Sequence, residues 1–354
     1  MSLAVAQVCR TFEPRVGGLE ASVGGLARSL RDRGHRVRVV TLRDPALPVV
    51  PVDGVEVVWL PRVGPRRWPW AAGLGRAVQG VDVVHVHGLD GLLDQALAHA
   101  AAPVGVSTHG GYLHTPRHRR IKALWLRTGT RWSLARAGAV WFTSEADRAA
   151  LAPAGADGPV LPDGVDVGRF AAVVRRPEPG RVLVLGRVDV HKGLDRLIAA
   201  LAVLARRGVR RQVDVVGPEA APGLIAALSA QARAAGVPGV RFHGARTGPA
   251  LLELVARAER AVLPSRKEGF GIAAVELMAA RVPLVLADIP AFRQHAGCVA
   301  LVDFDDPVRG ADALVAPLPP AHLDAAAARA ATFGWEARAA AWEAAYAALL
   351  ERRR

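Results

Sequence analysis

Short, valine-rich apolar runs alternate with alanine- and leucine-rich stretches along this chain, and the alternation occurs twice. In the first half the runs are LAVAQVCR, HRVRVVTL, VEVVWL, DVVHVH, PVGVSTH and AGAVWFTS. In the second they are RVLVLG, RQVDVVG, VRFHG, RAVLPS and VPLVLAD. Nearly continuous apolar runs of this length mark strands buried on both faces, and such sheets need helices on both sides. EASVGGLARSLRDRG, stopped by Gly34, reads as the first helix, and KGLDRLIAALAVLARRG and PGLIAALSAQARAAG read as helices of the second half. The predicted fold class is α/β with parallel sheets.

The length, 354 residues, exceeds the size at which one core stops growing, about 250 to 300 residues, so the two halves read as two domains. Residues 163–179, within LPDGVDVGRFAAVVRRPEPG, are rich in turn formers and show no periodic apolar face; they read as an interdomain linker. That places an N-terminal domain over 1–162 and a C-terminal domain over 180–334. The tail, 335–354, repeats Trp335, Ala339, Trp342 and Tyr346 at helical spacing and reads as a closing helix. Ligands of open parallel sheets sit beyond the carboxyl ends of the strands, so two domains of this kind imply a substrate cleft built from strand-end loops.

No apolar run approaches the ~20 residues that span a bilayer. The first strand-like run follows no basic leader, so the expected location is the cytoplasm, with peripheral contact at the inner membrane face. Cys9 and Cys298 are far apart in apolar surroundings and read as small buried thiols rather than a disulfide, nucleophile or metal ligand. A net charge of +14, from 46 basic and 32 acidic residues, favours anionic partners: nucleotide phosphates, nucleic acid or an anionic membrane.

Three strand-end loops carry chemistry. Gly17 and Gly18 follow the first strand and precede a helix, whose free N–H groups favour an anion; G-x-G-x-x-G is absent, and the glycines alone fit a plain turn equally well. In VLVLGRVDVHKGLDRLIAAL a strand ends at Gly186 and delivers Arg187, with Lys192 at the start of the next helix. A guanidinium and an ammonium so placed suit a diphosphate. In SRKEGFGIAAVELMAA, Glu268 leaves a strand, Gly269 and Gly271 let backbone approach a ligand, and Glu276 follows eight positions later, nearly aligned on a helix.

This last segment resembles the E-x7-E motif of the retaining glycosyltransferase family 4. GGLEASVGGLARSLRDRGHRVRVVT, DVVHVHG, STHGG, LPDGVDVGRF, GRVDVHKGLDRLIAAL and FHG look like the family's segments in the family's order, over nearly the whole chain. The resemblance implies a GT-B fold, two Rossmann-like domains whose parallel sheets face across a cleft. It implies transfer of a sugar from a nucleotide sugar, UDP- or GDP-linked, to a hydroxyl of a glycan, lipid-linked or small-molecule acceptor, with retention and with no metal or other cofactor. It implies that Glu276 binds the ribose hydroxyls, Glu268 the donor sugar, and Arg187 with Lys192 the diphosphate. Gly269, Phe270, Gly271 and Ile272 present backbone to the donor, Gly17 and Gly18 close over it, and His109 hydrogen-bonds substrate. The residues expected at the chemistry are thus His109, Glu268, Arg187 and Lys192. Two positions depart from the family pattern: Asp163 stands where asparagine is usual, and Arg281 where glycine is usual.

Other readings stand beside this one. The same donor site would serve a nucleotide-sugar hydrolase or phosphorylase, and the basic surface would serve a polyanion-binding protein, although no nucleic-acid-binding motif is present and no nucleic acid is expected as a partner. His85, His87 and His109 would supply three zinc ligands, but no acidic second shell is evident. DFD at 303–305 resembles a metal-binding D-x-D but lies in a turn-rich segment. TPRHRRIKALWLRTGTRWSLARAG holds seven basic residues and no acidic one, with Ile121, Leu124, Trp125 and Trp132 on one helical face; it fits either an interfacial surface for anionic lipid or a helix packed on the first sheet. Loops around 61–75 and 110–120 are expected to bind the acceptor.

Overall fold

The computed structural model describes residues 2–49, 51–52, 54–65, 68–109 and 119–352. The chain divides into two compact units, Met1–Val165 with Trp335–Arg354, and Asp166–Gly334. In the first, strands β1 (Ala4–Cys9), β2 (Arg36–Leu42), β3 (Glu56–Leu60), β6 (Val83–His87), β7 (Val104–Ser107) and β8 (Ala139–Trp141) form one sheet, ordered β3-β2-β1-β6-β7-β8. All its pairs are parallel. A separate antiparallel pair, β4 (Arg62–Val63) with β5 (Trp70–Ala71), lies outside it.

The second unit repeats the plan with β9 (Arg181–Leu185), β10 (Gln212–Val216), β11 (Val240–Phe242), β12 (Arg260–Leu263), β13 (Leu284–Ala287) and β14 (Ala300–Val302), ordered β11-β10-β9-β12-β13-β14. Both sheets are parallel throughout and reverse direction of growth beside their first strand, so each has a topological switch point where ligands bind. Each of the eleven apolar runs forms a strand; β14 and the antiparallel pair are too short for a periodic signal.

Valine and alanine dominate the central strands because both faces are covered; all six residues of β1 are buried. On one face of the first sheet, Val5 and Val39 pack with Val23, Leu26 and Leu30 of helix Gly18–Asp32. The helix Trp335–Glu351 joins the same layer through Trp342, Tyr346 and Leu349. The closing helix is therefore part of the first unit's core. The stretch read as a linker is not free chain: Asp163 is buried in the first unit, and Val167–Ala171 is a short helix of the second with Phe170 only 1% exposed. Its five residues are too few to show a helical period.

Arg281 holds φ 55, and follows the last residues of helix Ile272–Ala279 where a left-handed terminator is needed. The glycine usual in the resembling family has a physical reason there. Arg281 takes the strained conformation and pairs with Asp324.

Candidate functional site

In the second unit the loops after β9 and β12 meet. β9 ends at Leu185, and the chain passes Gly186 and Arg187 to a turn at Val190–Lys192 and then helix Leu194–Arg206. Lys192 Nζ lies 2.7 and 2.8 Å from the two carboxylate oxygens of Glu268, which follows β12. Ser265 Oγ donates to the same carboxylate at 2.7 Å. The pair is largely shielded, with Glu268 10% and Lys192 20% exposed at the side chain. Arg266 stitches the two loops: its backbone N–H donates to the His191 carbonyl at 2.8 Å, and its guanidinium grips Asp195 at 2.7 and 2.6 Å. Arg187 is exposed and makes no ion pair among the described residues.

Helices Leu194–Arg206 and Ile272–Ala279 both begin after left-handed glycines, Gly193 (φ 68) and Gly271 (φ 90), which offer no capping side chain, although in the first of them the Asp195 carboxylate accepts from the N–H groups of Asp195 and Arg196. By contrast, side chains cap helices Gly91–His99, Glu145–Leu151 and Pro307–Ala313. Uncapped N-termini retain donors for an anion. A Cβ at Gly271 would stand 2.6 Å from the Phe292 ring, so no larger residue fits this turn. Phe270 is buried edge-on against Phe333, while Gly269 and Ile272 remain partly exposed.

Glu276, on helix Ile272–Ala279, is partly exposed. Desolvation pushes its carboxyl up to about 8, opposed by the Arg169 guanidinium and reinforced by Asp166. The helix Val167–Ala171 thus faces Glu276, which no spacing argument revealed. The phrase LPDGVDVGRF, which contains both residues, was the available signal. Asp303 and Asp305 instead pair with Arg196, at 3.9 and 2.8 Å.

In the first unit, helix Gly18–Asp32 starts after Gly17, again uncapped, and a side chain at Gly17 would collide with the Glu20 carboxylate. His109 follows β7 at φ 45, a region a non-glycine residue occupies at a cost. Its Nδ1 lies 3.5 Å from Asp163 Oδ2, and its Nε2 lies 3.0 Å from His87 Nδ1. Ser22 Oγ donates to Asp163 Oδ1 at 2.5 Å. Desolvation works against an imidazolium at His109, but Asp163 and, more weakly, Asp147 raise its pKa above the ordinary value. His85 is committed elsewhere, with Nδ1 2.9 Å from the Tyr346 hydroxyl and Nε2 2.7 Å from Ser107 Oγ. Among the described residues no group of three or more His, Cys, Asp or Glu side chains is arranged to hold a metal. The remainder of the loop after His109, residues 110–118, lies outside the described residues.

The sequence matches the model of Glycosyltransferase Family 4 over residues 16–169 and that of Glycosyl transferases group 1 over 179–318. It is 33% identical over 353 residues to a GDP-mannose:cellobiosyl-diphosphopolyprenol alpha-mannosyltransferase of Xanthomonas campestris, covering 95% of this chain and 93% of that one. The chain belongs to glycosyltransferase family 4. The enzyme is a glycosyltransferase, and it is also 29% identical, over 89% of its length and 84% of the other's, to a phosphatidyl-myo-inositol mannosyltransferase of Mycolicibacterium smegmatis. Among solved structures, Anabaena Alr3699/HepE in complex with UDP and glucose superposes with a TM-score of 0.78 at 18% identity, covering 98% of this glycosyltransferase and all of the other. Sucrose-phosphate synthase from Thermosynechococcus elongatus gives 0.79 at 20%, with 99% of each covered. These structures establish the GT-B fold of the glycosyltransferase.

Chemically, the second unit sets the Lys192 ammonium against the Glu268 carboxylate where the loops after β9 and β12 meet, a cation suited to phosphate beside an acceptor suited to hydroxyls. The first unit supplies a histidine buried against a carboxylate. Among the described residues no helix is long and apolar enough to cross a membrane.

Proposed function

We propose that this glycosyltransferase moves a mannosyl group from GDP-mannose to a hydroxyl of a lipid-diphosphate-linked glycan, with retention and without a metal ion. The observation that carries this is the end-to-end likeness to the Xanthomonas campestris enzyme, whose name specifies that donor and acceptor class. Transfer from an α-configured nucleotide sugar to give an α-mannoside is retention.

Lys192, Arg187 and the N–H groups after Gly193 and Gly271 bind the diphosphate. As the glycosidic bond breaks, negative charge grows on the departing phosphate, and these donors stabilise it most in the transition state. Glu268, held by Ser265 and Lys192, accepts hydrogen bonds from the mannosyl hydroxyls. Glu276 accepts from the ribose. The acceptor hydroxyl attacks the same face and passes its proton to the leaving phosphate. In the first unit Gly17 and Gly18 offer backbone to substrate and His109 hydrogen-bonds substrate.

The lipid-linked acceptor fits an outward-facing feature of the first unit. Ile121, Leu124, Trp125 and Trp132 are 67, 65, 42 and 57% exposed on the basic segment that runs from Arg119 to Arg136. Such an apolar face flanked by arginine suits an anionic bilayer surface. Mixing the enzyme with radiolabelled GDP-mannose, UDP-glucose or ADP-glucose and a polyprenyl-diphosphate disaccharide, with and without EDTA, tests the reading. Chelator-resistant α-mannosylation from GDP-mannose alone is the expected result. Transfer from another donor, or only with added metal, would overturn it.

A further inference from the structure

The polar chain Ser22, Asp163, His109 and His87 runs through the interior of the first unit, and its hydrogen-bonding admits only two proton arrangements. Asp163 is buried, 7% exposed, and takes the Ser22 hydroxyl at one oxygen and faces His109 Nδ1 with the other. His109 Nε2 and His87 Nδ1 are 3.0 Å apart, so one of these nitrogens carries the hydrogen and the other accepts it. His87 is 3% exposed and stacks on His85 with ring centroids 3.9 Å apart; burial holds it neutral. Its Nε2 is buried without a partner among the described residues.

We propose that Asp163 is a positioning residue that fixes His109 as an imidazolium, and that this charge dictates the tautomer of His87, making its Nε2 a hydrogen-bond donor. An imidazolium at His109 donates Nδ1–H to Asp163 and Nε2–H to His87 Nδ1, which leaves the only proton of neutral His87 on Nε2. A neutral His109 would keep its proton on Nδ1 and accept from His87, leaving His87 Nε2 as a bare acceptor. One protonation at His109 therefore exchanges donor for acceptor two rings away. Asparagine at position 163, usual in the family, carries no charge to hold the proton. The charged groups facing His109 among the described residues are Asp163 and, through Thr108, Asp147; His85 and His87 are neutral.

This deepens the reading of His109 as a residue that hydrogen-bonds substrate and rests on it. An imidazolium already protonated at both nitrogens takes no further proton, so His109 is a fixed positive charge and not the base that deprotonates the acceptor.

Nitrogen-15 NMR of the full-length protein labelled in histidine, followed from pH 5 to 9, tests the proton arrangement with no substrate present. The expected result is a doubly protonated His109 and an Nε2–H tautomer of His87 at pH 7. In Asp163→Asn the His109 midpoint moves down by about one pH unit or more, and His87 changes to the Nδ1–H tautomer at pH 7. A neutral His109 in the wild-type protein at pH 7, or an unmoved midpoint in the variant, overturns the proposal; the wild-type spectrum alone decides should the variant not fold. In turnover of GDP-mannose with the polyprenyl-diphosphate acceptor, kcat/KM falls as pH rises through the His109 midpoint, and the fall begins at lower pH in Asp163→Asn. A rate that rises with the same deprotonation makes His109 a base and sinks the role assigned here. Absence of turnover, with the spectra as expected, refutes the functional reading and leaves the proton arrangement standing.

Discussion

Glu276 and His295 both titrate abnormally, and their consequences for stability have definite signs. The raised carboxyl of Glu276 keeps a proton that the unfolded chain releases near 4.3, so stability falls as pH rises from there through about 8. Glu276→Gln has no such titration. Its melting point relative to wild type should rise by a few degrees between pH 5 and 8 and level off above, while nucleotide binding is lost; a flat difference in a pH series of thermal melts contradicts the assignment. His295 is fully buried with neither ring nitrogen partnered among the described residues. Burial first, then Arg329, lowers its pKa to about 4. Between 6.5 and 4 the unfolded chain binds a proton the native protein refuses, so stability present above 6.5 is lost on acidification, by about 3 kcal/mol. Urea denaturation of His295→Leu should show a shallower loss between pH 6.5 and 4 than wild type.

At the scale of elements, the loops after β9 and β12 share a shielded ion pair, Lys192 with Glu268, beside the exposed Arg266–Asp195 pair, and removing half of the shielded one should hurt twice. Lys192→Ala leaves Glu268 without its cation in a largely closed site, costing about 2 kcal/mol of stability and about 100-fold or more in turnover. Lys192→Ala/Glu268→Ala should regain stability but not activity, as a double-mutant cycle by thermal melt and initial rate would show. The helix Ile272–Ala279 ends on a strained Arg281, and Arg281→Gly should raise stability by up to about 1 kcal/mol. The strands were legible because burial on both faces turns them into unbroken valine runs, and the sequence singled out Lys192 and Glu268 from the loops that leave two of these runs, which the structure joins through the contact between the two side chains. Val167–Ala171 was not, since a five-residue helix has no period, nor was the carboxylate beside His109: Asp163 takes the Ser22 hydroxyl from 141 residues away in sequence, a contact that no local pattern encodes.

At the scale of the molecule, the proposed contact with an anionic membrane rests on the net charge of +14 and the exposed aromatic face. Ile121→Ser/Leu124→Ser/Trp125→Ser should lower cosedimentation with phosphatidylglycerol vesicles at least tenfold while leaving GDP-mannose binding unchanged; equal binding to phosphatidylcholine vesicles would point away from an anionic surface. The second unit enters the chain after Val165 and leaves it before Trp335, so the first is written in two pieces with the second inserted between them. Trp342, Tyr346 and Leu349, which fill the first unit's interior with Val5, Leu26 and Trp141, follow the whole second unit in the sequence. During synthesis the second sheet can close while the first still lacks one wall. The first unit therefore completes its core only after the whole second unit has been synthesised, and the Tyr346 hydroxyl that lies against His85 comes with that later segment.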